Sequence, residues 1–167
     1  MPTLRWYALT TKPRYERSTA RYLRFKGFEE LAPACRVRRR WSDRFKQIEQ
    51  QLFPGYVFCR FAGEHRLEVL STPGVMSIVG FGKTPAPVDD GEIASVRAIA
   101  ASGAQAWPCA CLRIGQRVRI EDGCLAGVAG TLVRENGLWR VVVNIEILQR
   151  AVAVEIDRYL VRAVAAA

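Results

Sequence analysis

Five cysteines and one histidine are the residues best suited to metal or nucleophilic chemistry, and their spacing argues against both. Cys109-Ala-Cys111 followed by Cys124 offers three thiols, but C-x-C is a poor chelate for tetrahedral zinc, and His65 lies in the other half of the chain. Cys35 and Cys59 complete an odd set with no C-x-x-C spacing, so reduced structural thiols and no metal site are expected. The sequence has no glycine-rich phosphate loop and no clustered carboxylate pair, so no catalytic residue and no cofactor is expected. What remains is binding chemistry.

Two groups of side chains could carry it. One is cationic. The chain has a net charge of +9, concentrated before residue 101. Arg14, Arg17, Arg21 and Arg24 recur at helical spacing, and Arg36 to Arg40 is a basic run broken only by Val37. Such rows suit phosphate contacts through Lys12, Arg14, Arg17, Arg21, Arg38, Arg39 and Arg40, or they form a solvated face. The other group is aromatic: Phe53-Pro54-Gly55-Tyr56-Val57-Phe58. Alternation sends Val57, Cys59 and Phe61 one way and Tyr56 and Phe58 the other. Both directions are apolar, which fits either a strand covered on both faces or an exposed aromatic patch that docks a partner.

The elements that must position these groups follow from periodicity. Leu4 to Thr10 reads as a strand. Pro13 suits the first turn of a helix that Gly27 ends, with Tyr15, Thr19, Tyr22 and Leu23 on its second face. Residues 29–62 read as strands around a polar hairpin turning at Ser42-Asp43. A short helix covers Arg66 to Ser71, and a strand runs from Val75 to Phe81. Asp89 caps a helix whose stripe is Ile93, Val96 and Ile99. Small uncharged residues from Ala100 to Pro108 then read as a linker. Beyond it, strands are expected at Gln116 to Ile120, Ala129 to Arg134, Leu138 to Val143, Ile145 to Leu148 and Val152 to Ile156, with a hairpin at Asn136-Gly137. Five short strands bury themselves best as a small closed barrel. The expected organisation is an α+β domain over 1–100 (an antiparallel sheet flanked by helices), a linker over 101–111 and an all-β five-stranded barrel over 112–167. No apolar run approaches the roughly 20 residues of a membrane span, and Met1 to Tyr7 has no apolar leader core. A soluble cytoplasmic protein is expected.

The order of Trp6-Tyr7, the helix after Pro13, Leu52 to Phe58 and Thr72-Pro73-Gly74-Val75 resembles the N-terminal domain of NusG proteins. Val118-Arg119-Ile120 leading through Gly123, Gly127 and Gly130 is similar to the KOW motif of that family's C-terminal barrel. The resemblance implies a non-enzymatic transcription elongation and antitermination factor. It also implies that Phe53, Pro54, Tyr56 and Phe58 form much of a hydrophobic depression that binds the β′ clamp helices of RNA polymerase, with Trp6 helping to build the sheet beneath and with Tyr56 and Phe58 exposed together on one sheet face. Upstream or non-template DNA would face the basic residues. The KOW domain of a monomeric protein would recruit Rho, a small-subunit ribosomal protein or RNA. The stretch Asn144 to Glu155 departs from the housekeeping pattern and resembles specialised paralogues of the RfaH, UpxY and LoaP kind. Only His65 remains of the His-Thr-Thr-Thr segment that RfaH sets against the polymerase gate loop. The rival reading is an RNA-binding or ribosome-associated KOW protein, weakened by the near neutrality of residues 101–167.

Overall fold

The computed structural model describes residues 2–111 and 115–164. The first strand, β1 (Arg5–Thr11), is followed by α1 (Glu16–Phe25), β2 (Glu29–Leu31), β3 (Ala34–Trp41), β4 (Arg44–Gln51) and β5 (Tyr56–Phe61). Next come α2 (Arg66–Leu70), β6 (Val75–Ile78), β7 (Gly80–Phe81), β8 (Thr84–Pro85), β9 (Pro87–Val88) and α3 (Asp90–Ser102). β1 is central in an antiparallel sheet ordered β2-β5-β1-β6, with β9 also paired to β1. Its alternation explains that position. Leu9 joins Val57, Cys59 and Phe61 of β5 against Ala20, Leu23 and Val69 of the two first helices. Trp6 and Ala8 point the other way, with Phe58 and the α3 stripe of Ile93, Val96 and Ile99.

The start of α1 corrects the sequence reading. Pro13 does not open the helix. Lys12 to Tyr15 form a tight turn, with the Tyr15 N–H donating to Lys12 O at 3.0 Å and Arg14 at φ 67°. Proline suits the second position of such a turn, and the positive φ of Arg14 at the third is the mark of type II geometry. Arg14 therefore stands before the helix, out of the row formed by Arg17, Arg21 and Arg24. On the face expected to be apolar, Thr19 and Leu23 are buried while Tyr15 and Tyr22 remain about half exposed. The Pro73-Gly74 turn packs directly on this helix. Thr19 Oγ1 donates to Pro73 O at 3.1 Å, and a Cβ on Gly74 would fall 2.1 Å from that hydroxyl.

β3 and β4 form a separate two-stranded ribbon whose two-residue turn is Ser42-Asp43, as expected. Asp89 caps α3, its Oδ1 accepting from the Gly91 and Glu92 N–H groups at 2.8 and 3.2 Å.

The C-terminal half contains β10 (Ala106–Ala110), β11 (Gln116–Ile120), β12 (Ala129–Glu135), β13 (Leu138–Ile145), β14 (Arg150–Glu155) and β15 (Val161–Ala163). Their order is β10-β14-β13-β12-β11-β15, so this sheet has six strands where five in a closed barrel are expected. Much of the segment read as linker is structured: α3 runs on to Ser102, and β10 pairs with β14. The expected start of the barrel, 112–114, lies outside the described residues. Asn136 and Gly137 both adopt positive φ and turn the β12–β13 hairpin.

Ile145 to Leu148 is not a strand. Glu146–Leu148 is a 3₁₀ turn, and the chain reverses so that Ile145 pairs with Arg150. The apolar run continues past the reversal, which period alone does not reveal. Gly123 and Gly127 have positive φ. Gly130 serves differently, since a Cβ there would lie 2.5 Å from Val142 O on the neighbouring strand.

Candidate functional site

The aromatic face is brought together as expected but is not exposed. Phe58 and Phe53 are 0% and 1% exposed and Trp6 is 4%. Phe53 meets Phe58 edge-to-face, with ring centroids 5.4 Å apart. Tyr56 is half-buried against the same cluster, and Pro54 is exposed at its rim. The expectation that Tyr56 and Phe58 stand out together in solvent is therefore corrected. The physical reason is the apolar stripe of α3, which lies on this face of the sheet. The cluster continues through Val96 and Ile99 into Val118, Ile120, Val143 and Ile145 of the C-terminal sheet. The two halves share one apolar core.

Polar contacts reinforce this closure. Cys35 Sγ donates to Ala106 O at 3.0 Å. The Glu146 N–H donates to Glu92 Oε1 at 3.3 Å, so a carboxylate in the first turn of α3 holds the β13–β14 turn. Burial pushes the Glu92 carboxyl above its ordinary range, with Asp89 and Glu146 nearby adding to the effect. A cleft of about 700 Å³ remains beside this contact, lined by Glu92, Ser95, Arg117, Arg119, Gly127 and Glu146 among others.

The turn that presents Phe53 to Tyr56 is anchored by a residue the sequence reading passed over. Glu16 is only 6% exposed, and its Oε1 accepts from the Gly55 N–H at 2.8 Å. Gly55 O in turn accepts from the Thr11 N–H at 2.9 Å. The available signal was a lone acidic residue at the head of an arginine row. A charge-assisted hydrogen bond of this kind is worth about 1.5–3 kcal/mol. Glu16→Ala should lower unfolding free energy in denaturant titration by about 2 kcal/mol. A loss below about 0.5 kcal/mol, the scale of an ordinary surface change, would show that the carboxylate does not hold the turn.

The basic residues fall into two neighbouring groups. Lys12, Arg14, Arg17 and Arg21 are exposed around α1, and Arg38, Arg39 and Arg40 are exposed on the ribbon. Arg17 reaches Glu49 of β4 at 3.7 Å, which sets the helix beside the ribbon. Arg24 is committed elsewhere, to Glu30. His65 contacts Glu68 and Glu64 at the head of α2. Burial pushes the Cys59 thiol up to about 12, with Glu30 and Glu29 adding to the effect, and raises Cys35 and Cys109 as well. These thiols are therefore protonated at neutral pH and poor nucleophiles. Among the described residues no three His, Cys, Asp or Glu side chains group as metal ligands, and no helix is long and apolar enough to cross a membrane. Gly123, Gly127 and Gly130 sit around the β11–β12 connection. There the Gly127 N–H donates to Ile120 O at 2.8 Å.

Comparison with known proteins gives concordant results. The family model described as transcription termination factor NusG matches residues 4–97. The transcription termination/antitermination protein NusG of Thermus thermophilus is 28% identical over 176 aligned positions, covering 93% of this chain and 96% of that protein. The Lactococcus lactis protein of the same name is 27% identical, covering 76% of this chain and 70% of its own length. A solved structure titled "Domain interaction in Thermotoga maritima NusG" superposes with a TM-score of 0.55 at 23% identity, covering 98% of both chains. That likeness is one of fold.

Proposed function

The chain belongs to the NusG family of transcription termination and antitermination proteins, and on that premise we propose that it is an elongation and antitermination factor that docks on RNA polymerase. The docking face is the one built by Trp6, Phe53, Pro54, Tyr56 and Phe58, and its target is the β′ clamp helices. Lys12, Arg14, Arg17, Arg21, Arg38, Arg39 and Arg40 face upstream or non-template DNA. The C-terminal sheet, with its Gly123-Gly127-Gly130 KOW signature, recruits a further partner: Rho, a small-subunit ribosomal protein or RNA. The departure at Asn144 to Glu155 supports placing it among specialised members.

One observation carries the reading. The aromatic cluster of the N-terminal sheet is completed by residues from the other half of the same chain. A face that takes an apolar partner within the molecule is chemically suited to take one from outside once α3 and the C-terminal sheet move off it. The closed arrangement then competes with polymerase. If it outnumbers the open one by about ten to one, apparent affinity falls about tenfold.

Labelled full-length chain and a 1–103 fragment, each titrated with core RNA polymerase, test this. The fragment should bind about tenfold more tightly. Failure of both to bind would remove the docking reading, and equal affinities would show that the face is not competed for.

A further inference from the structure

The β3–β4 ribbon carries two large rings that the polymerase-docking reading does not use. Trp41 and Phe45 flank its turn, and each is 58% exposed. Phe45 pairs with Arg40, and Trp41 with Arg44. Adjacent pairs alternate faces, so the tip presents one ring on each side. The Arg38 guanidinium lies 4.1 Å from the centre of the Phe45 ring, and Lys46 Nζ lies 5.7 Å from that of Trp41. Between Arg36 and Glu49 the ribbon has six cationic side chains, Arg36, Arg38, Arg39, Arg40, Arg44 and Lys46, against Asp43 and Glu49.

We propose that this ribbon binds unpaired nucleic-acid bases by stacking them on Trp41 and Phe45, while the surrounding cations hold the flanking phosphates. The inference rests on the nucleic-acid part of the proposed function and names the form of nucleic acid. Stacking platforms beside basic tracks are the chemistry by which single strands are gripped without sequence preference. A protein-docking patch would gather its rings on one face and shed charge from its centre, whereas here the rings are divided and each has a cation beside it. Single exposed rings are ordinary on a solvated surface, but here two flank one turn within a run of cations. Duplex reading by a two-stranded ribbon in the major groove presents one ribbon face to the base edges, through polar side chains and apolar contacts to the thymine methyl, and so would use one of the two rings and not both.

The test uses the full chain with fluorescent oligothymidylate, oligouridylate and a duplex of the same length, read by anisotropy across a salt series. The single strands should bind more tightly than the duplex, and the preferred one identifies DNA or RNA as the source of the bases. Trp41→Ala or Phe45→Ala should each weaken single-strand binding about tenfold without changing the salt slope, and Trp41→Tyr should retain most of the affinity. Arg39→Ala and Arg40→Ala should instead flatten the slope by about 0.7 per lost contact. Ring variants that bind like the parent protein would overturn the stacking inference while leaving the phosphate reading in place. Failure of the parent chain to bind any single strand, or a ring-independent preference for duplex, would overturn it as well. Polymerase affinity should be unchanged in the ring variants, which separates this result from the docking reading.

Discussion

Phe58→Ala should destabilise the protein by about 3–5 kcal/mol, enough to leave a marginal domain largely unfolded. The ring is fully buried, sits edge-to-face against Phe53, and lies on the central strand pair, opposite Ala8 of β1 and Leu31 of β2. Its removal would leave a void that β1, β2 and the α3 stripe cannot close without disturbing the register of the sheet. Because the cluster runs from Trp6 into Val143 and Ile145, unfolding should begin in both halves and not in one. Denaturant titration followed at once by tryptophan fluorescence and by circular dichroism checks this. A midpoint shift worth less than about 1 kcal/mol, smaller than typical Phe→Ala losses, would show that the ring is not a core residue. Any loss of polymerase binding in this variant would report unfolding, so Phe58 is not the residue with which to test docking.

Tyr56 is that residue. It shares a sheet face with Phe58 but is only half-buried, beside the exposed Pro54. Aromatic anchors in interfaces commonly contribute about 2 kcal/mol or more, which is roughly a 30-fold change in affinity. On the proposed docking role, Tyr56→Ala should weaken polymerase binding by about that factor while the melting transition stays cooperative and close to that of the parent. Measuring both quantities on one preparation separates contact loss from unfolding. A variant that melts like the parent and binds polymerase with unchanged affinity would remove Tyr56 from the docking face. A variant that both unfolds and fails to bind would place its ring with Phe58 in the core. Comparing the same substitution in the 1–103 fragment tests the competition idea, because there α3 alone, without the C-terminal sheet, packs on the face.

The amino-acid sequence by itself determined much of the local architecture. The two-residue alternation of Tyr56 to Phe61 assigned Phe58 and Val57 to opposite faces, and both assignments hold. Asp89 at the head of an apolar stripe specified the cap of α3, and Asn136-Gly137 and Ser42-Asp43 specified two hairpins, because caps and tight turns are chosen by the residues that form them. The cationic groups were equally plain from charge and spacing. Tertiary structure decided what each face meets. Periodicity records which side chains point the same way but not what covers them, so the burial of Phe53 and Phe58 depended on α3 and the C-terminal sheet arriving from later in the chain. Arg14 left its helical row because a proline-directed turn took precedence over helix spacing. Ile145 to Leu148 stopped being a strand where the chain reversed and Glu92 took the Glu146 N–H. β10 arose in a stretch of small residues because β14 offered an edge to pair with. Apart from the local turn at Arg14, a long-range partner outweighed a local preference, since one buried contact is worth more than the tenths of a kcal/mol that separate strand, turn and coil for a single residue.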